Sequence, residues 1–179
     1  MKRYGLYLMM TVAALLAVNS CNKDDEEDHL NEWMIANQQA MNAITSNPEY
    51  KEIKSPGNEG SIYYKVLNKG DGKDSIYYTS TVYCYYKGWF VADYPQFNIE
   101  KGDVFDQKLF DDGSPFGLIL TSTGIITGWK TALYGMVKGD KWEVWIPYQL
   151  AYGREGYQSV IPGYSTLVFE IEVMSVDGK

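Results

Sequence analysis

The chain has 179 residues, 16 basic and 23 acidic side chains and a single histidine, for a formal net charge of −7. Residues 1–20 hold Lys2 and Arg3 and no acidic residue, so the remaining 159 residues carry −9, a charge that phosphate backbones repel. Nucleic acid is thereby excluded as a partner, and one histidine, His29, placed ahead of the strand-rich region, leaves no histidine-based triad or zinc site there.

At the start of the chain Lys2 and Arg3 precede a largely apolar stretch from Leu6 to Val18, too short and too abruptly ended to span a bilayer. This is the layout of an export signal. Val18-Asn19-Ser20-Cys21 closes it, with small Ser20 before the cysteine, and resembles the lipobox of bacterial lipoproteins. The resemblance implies removal of residues 1–20 and lipidation of Cys21; a plain secretory signal with an incidental cysteine is the competing reading. Residues 21–28, which include Lys23-Asp24-Asp25-Glu26-Glu27-Asp28, form a charge run that reads as a solvated tether. It serves either as a spacer or, as in lipoproteins it resembles, as an acidic signal that sorts the protein to the outer face of the outer membrane. The expected location is therefore exported and lipid-anchored in the outer membrane, on its surface or on its periplasmic face.

From His29 to about Thr45 the apolar residues Leu30, Trp33, Met34, Met41 and Ile44 recur at helical spacing without Gly or Pro, which predicts one amphipathic helix. Asn47-Pro48 ends it, and the polar stretch through Pro56-Gly57-Asn58-Glu59-Gly60 reads as a linker, so residues 29–60 form a helix-and-linker unit. The helix has two possible docking places, the domain that follows or a second copy of the chain, and the oligomeric state stays open with it.

After Gly60 the texture changes to short runs of Tyr, Val, Ile, Phe and Trp divided by Gly, Asp and Pro. Strands are predicted at Ser61–Leu67, Ser75–Phe90, Val104–Phe105, Trp142–Ile146 and Thr166–Val176. Lys141–Ile146 and Leu167–Val173 alternate clearly, so one face of the sheet is expected to be buried and the other to meet water. Ile126, Trp129, Leu133 and Met136 instead share one stripe of a short helix over Ile126–Met136. Once Cys21 is assigned to lipid, Cys84 is the one cysteine left, and within Thr81–Tyr86 it reads as a small buried hydrophobe. Residues 61–179 thus read as an α+β domain: an antiparallel sheet with one short central helix on its apolar face.

Within it, Tyr85-Tyr86-Lys87-Gly88, Val104-Phe105-Asp106, Pro115-Phe116, Ile125-Ile126-Thr127-Gly128-Trp129, Leu150-Ala151-Tyr152-Gly153, Ile161-Pro162 and Ser165–Glu170 occur in order. Together they resemble the FK506-binding (FKBP) family of peptidyl-prolyl isomerases along some 115 residues. The resemblance implies a sheet wrapped on the central helix and a substrate pocket formed by Tyr86, Phe105, Asp106, Phe116, Ile125, Ile126, Trp129, Tyr152, Ile161 and Phe169. Trp129 takes the floor beneath the proline ring, with Tyr86, Phe105, Phe116 and Phe169 as walls. The Ile126 N–H and the Tyr152 hydroxyl take the positions that bind substrate carbonyls, and Asp106 orients a tyrosine, here Tyr86. A turn cap after the Val104 strand is the plainer role for Asp106. No cofactor or metal is expected, because rotation about an X–Pro bond breaks no bond.

Between Gly88 and Phe105 lie sixteen residues, Trp89 through Val104, about twice the number in compact relatives. Loops of this length are often functional, and Trp89, Phe90, Tyr94 and Phe97 could extend the binding surface or obstruct it. Gly124 and Tyr157 also depart from the family's common residues. Three functions follow: prolyl isomerisation of exported polypeptides; an FKBP-fold module that grips apolar or proline-containing segments without turnover; and, from the sixteen tyrosines and five tryptophans, glycan binding.

Overall fold

A computed structural model describes residues 23–73, 75–91 and 101–178. The export-signal stretch, Cys21 and the middle of the Trp89–Val104 segment lie outside the described residues. The chain runs through α1 (Lys23–Thr45), β1 (Lys51–Lys54), β2 (Ser61–Asn68), β3 (Thr81–Val91), β4 (Lys101–Lys108), β5 (Phe116–Ile119), α2 (Thr127–Gly135), β6 (Lys141–Ile146) and β7 (Leu167–Asp177). All strand pairs are antiparallel, in the order β1-β2-β6-β7-β3-β4, with β5 also pairing β3.

The helix expected from His29 begins earlier, at Lys23, inside the run assigned to the tether. Acidic residue types suit the positive end of a helix macrodipole, so a charge run can open a helix as readily as it can stay extended. The strand expected from Ser75 starts only at Thr81. The Ser80 hydroxyl accepts the Tyr77 N–H at 3.0 Å and the Tyr77 carbonyl accepts the Ser80 N–H at 2.9 Å. That turn overrides the β-propensity of Ile76-Tyr77-Tyr78.

Alternation along the long strands sends Val82, Cys84, Trp142, Val144, Ile146, Leu167, Phe169, Ile171 and Val173 inward, all buried. Trp129, Ala132, Leu133 and Met136 of the α2 stripe meet them there. Gly128 makes this contact possible, since a side chain on it would collide with Ile146. The opposite face is not left entirely to water. Met41 and Ile44 of α1 pack on Val91, Trp145 and Val168, with Tyr50 and Tyr63 beside them, forming a second small core. Because α1 is amphipathic and its stripe needs cover, it docks on the domain and closes one end of that outer face.

Candidate active site

Five elements and two loops converge on one cavity of about 380 Å³. Strand β3 supplies Tyr86, β4 Phe105 and Asp106, β5 Phe116, β7 Phe169 and α2 Trp129, while the loops bring Gly124, Ile125, Ile126, Tyr152 and Tyr157. Trp129 is 6% exposed and stands nearly perpendicular to Tyr86, centroids 5.1 Å apart at 88°, and to Phe169, 5.3 Å apart at 87°. Phe105 meets Phe169 at 5.4 Å and 84°, and Phe116 meets Tyr86 at 5.6 Å and 69°. Edge-to-face rings of this kind hold one another in place beyond the area they bury.

The walls approach closely because β3 carries Gly88 where it passes Asp106 of β4 and Phe169 of β7. A Cβ on Gly88 would lie 2.7 Å from the Phe169 ring and 2.8 Å from the Phe105 ring. A glycine inside a strand marks such an approach, and this was the available sequence signal for a residue absent from the candidate set.

Polar groups in the slot are few and placed. The Tyr86 hydroxyl donates to Asp106 Oδ2 at 2.9 Å, so Asp106 does more than cap a turn. Burial first, then the hydrogen bond and charge of Asp106, push the Tyr86 phenol well above its ordinary value. Burial also raises Tyr152, with smaller contributions from Tyr157 and Asp106. The Tyr152 ring lies 4.9 Å from that of Tyr157, and its hydroxyl makes no hydrogen bond among the described residues. Ile126 caps α2 with extended backbone, its carbonyl accepting the N–H of Trp129 at 3.1 Å and of Lys130 at 3.3 Å. The Ile126 N–H makes no bond among the described residues, which is the usual state of the donors that open a helix.

Of the residues expected to touch substrate, Ile161 alone does not line the cavity. It is 5% exposed and belongs to the core. Its carbonyl accepts the Tyr157 N–H at 2.8 Å and its own N–H donates to the Tyr157 carbonyl at 3.1 Å, so it supports Tyr157 from behind. An apolar residue beside a proline reads alike in a rim and in a core, and this explains the difference. Phe90, offered as a surface extension or an obstruction, backs the Phe105 ring at 4.9 Å.

Cys84 is fully buried, its thiol pushed up to about 12 by that burial, which removes it as a nucleophile. Among the described residues no three His, Cys, Asp or Glu side chains gather as metal ligands. A separate hollow of about 460 Å³ lies under α1, lined by Met34, Met41, Tyr63 and Tyr148, with Glu59 its one acidic residue.

An antiparallel sheet with a short helix packed on its apolar face and an aromatic slot at the helix N-terminus defines a small α+β domain. The chain belongs to the FKBP-type peptidyl-prolyl cis-trans isomerase family, whose model matches residues 72–174. It is 36% identical over 118 residues to the FKBP-type 22 kDa peptidyl-prolyl cis-trans isomerase of Escherichia coli, covering 66% of this chain and 51% of that protein. The chain thus spans about half the length of that relative. With the FK506-binding protein of Neisseria meningitidis serogroup A it shares 32% identity over 117 residues, 65% of this chain and 97% of the relative. The crystal structure of a peptidyl-prolyl cis-trans isomerase from Pseudomonas syringae pv. tomato superposes with a TM-score of 0.64 at 30% identity, covering 83% of this chain and 96% of that one.

Proposed function

We propose that the protein accelerates rotation about X–Pro bonds in exported polypeptides, using the slot above Trp129. The observation that carries this reading is the combination of a buried aromatic floor with two unspent donors, the Ile126 N–H and the Tyr152 hydroxyl, at its mouth.

Rotation is slow because resonance gives the C–N bond double-bond character, with a barrier of roughly 18–20 kcal/mol. The charge-separated resonance form is stabilised by water. A proline ring seated among Tyr86, Phe105, Phe116, Trp129 and Phe169 loses that water, so the planar amide is disfavoured relative to the twisted one. Fixed donors beside it donate to the flanking carbonyls and hold them in a turn-like shape without reorganising. Tyr86, held by Asp106, keeps one wall at a set angle while the ring turns. No bond is made or broken, so the protein's own side chains suffice.

Export and anchoring belong to the same proposal. Lys2, Arg3, the apolar stretch and Ser20-Cys21 support a signal whose removal leaves a lipid on Cys21, with the acidic run directing it to the outer membrane. Among the described residues no helix is long and apolar enough to cross a membrane.

A direct proline-flip assay on the full chain with a short X–Pro peptide is the test. Acceleration above the uncatalysed rate, strongly reduced by Trp129→Ala, is the expected result. A natively folded chain without acceleration overturns isomerisation and leaves a binding module.

A further inference from the structure

Two hydrogen-bonding side chains and one ring of α1 reach past the outer sheet face to the back of the slot. The Trp33 ring stands 5.8 Å from Phe90 at 77°. Phe90 in turn lies 4.9 Å from Phe105, and Phe105 5.4 Å from Phe169, so ring contacts run unbroken from the helix to two pocket walls. On its other edge the Trp33 Nε1 donates to Ser165 Oγ at 3.2 Å, and that hydroxyl donates to the Pro162 carbonyl at 2.7 Å. One turn along, Asn37 is 1% exposed. Its Oδ1 accepts the Thr166 N–H at 2.6 Å and its Nδ2 donates to the Trp33 carbonyl at 2.8 Å.

A buried amide on an amphipathic helix is costly unless both its ends are used, and here both are. What they hold is the last stretch of the loop that carries Tyr152 and Tyr157, immediately before β7 brings in Phe169. That stretch is under backbone strain: Tyr164, a bulky residue, sits at φ 61°, with its N–H on the Gly153 carbonyl at 3.0 Å. Such a conformation persists where its surroundings over-determine it, and Trp33 and Asn37 bond the next two residues. The C-terminal half of α1 is fixed separately, by Met41 and Ile44 on Val91, Trp145 and Val168.

We propose that Trp33 and Asn37 are positioning residues for the substrate pocket. The helix sets the spacing between the Phe105–Phe169 wall and the Tyr152 loop without touching substrate. This rests on the reading of the slot as the prolyl site. Trp129, Tyr86 and Asp106 are held by α2, β3 and β4, so loosening α1 acts more on substrate capture than on the rotation step.

The test compares full-length wild type, Trp33→Ala, Trp33→Phe and Asn37→Ala in the proline-flip assay, together with equilibrium binding of the same X–Pro peptide. Trp33→Ala and Asn37→Ala should each raise KM by about two- to tenfold with a smaller change in kcat, the size expected from losing one aromatic or buried polar contact. Trp33→Phe keeps the ring against Phe90 and should recover most of the affinity. A role in stability alone lowers the folded fraction, which reduces apparent kcat and leaves KM where it was; that pattern, or unchanged KM in both alanine variants, overturns the proposal. Should Trp33→Ala fail to fold, Asn37→Ala and Trp33→Phe carry the same comparison. If wild type binds the peptide without isomerising it, the catalytic reading fails by itself. Weaker peptide binding by Asn37→Ala then still supports the positioning role, and equal binding overturns it.

Discussion

Tyr86 meets the slot twice, through a ring perpendicular to Trp129 and through a hydroxyl committed to Asp106. Its phenol, like those of Tyr50 and Tyr152, is raised above the ordinary value of 10.0, in each case first by burial. A raised folded value means that the stabilising contribution is complete below pH 10 and is lost as pH climbs through the folded value. The pH–rate profile should therefore be flat through the neutral range, with both activity and thermal stability falling only in alkali above about pH 10. A step near pH 6 to 8 in kcat/KM would show that some other titrating group takes part. Tyr86→Phe keeps the ring and frees Asp106, and should lower kcat/KM by about tenfold, as expected for loss of one hydrogen bond to a charged partner. The pairing of Tyr86 with Asp106 was legible only through the family resemblance, which places that acid beside a tyrosine. Ile161 was not, since only its neighbours decide between rim and core.

At the scale of elements, the parts with long periodic runs were the readable ones. The α2 stripe and the alternation of β6 and β7 come straight from residue spacing. By contrast β1 has one apolar residue, Ile53, among Lys51, Glu52 and Lys54, and is a strand because β2 offers it a ladder at the sheet edge. Strand β5 holds only Phe116–Ile119 with Gly117 inside, and its identity likewise comes from its partner β3. Pairing across the chain is a tertiary fact that local patterns do not carry. The residue that most rewards this view is Gly88, whose missing side chain lets two strands bring Phe105 and Phe169 together. Gly88→Ala should push these rings apart and weaken peptide binding by about tenfold or more, with a loss of about 1–3 kcal/mol in denaturant unfolding from overpacking. Unchanged binding and stability would mean that the walls yield freely.

The molecule as a whole joins an acidic domain to a proposed lipid at Cys21, with α1 between them. Cys21→Ser should move the protein from the membrane fraction to the soluble fraction after cell lysis and carbonate washing. Retention in membranes would set aside the lipid reading and leave the isomerase reading untouched, since the slot is built from residues between Tyr86 and Phe169. The docking of α1 was not legible in the sequence, because an amphipathic stripe states that it needs cover and not where it finds it.

The sheet order has its own consequence for how the protein comes to exist. Strand β7 lies between β6 and β3, joining β1-β2-β6 on one side to β3-β4-β5 on the other, and it is the last strand in chain order. Until Leu167–Asp177 has been synthesised the two halves have nothing to close on, and Phe169 is missing from the slot. A chain threaded through a narrow passage from its N-terminus would therefore travel as two open half-sheets at most. It would become a folded domain in one late step, after the final strand has arrived.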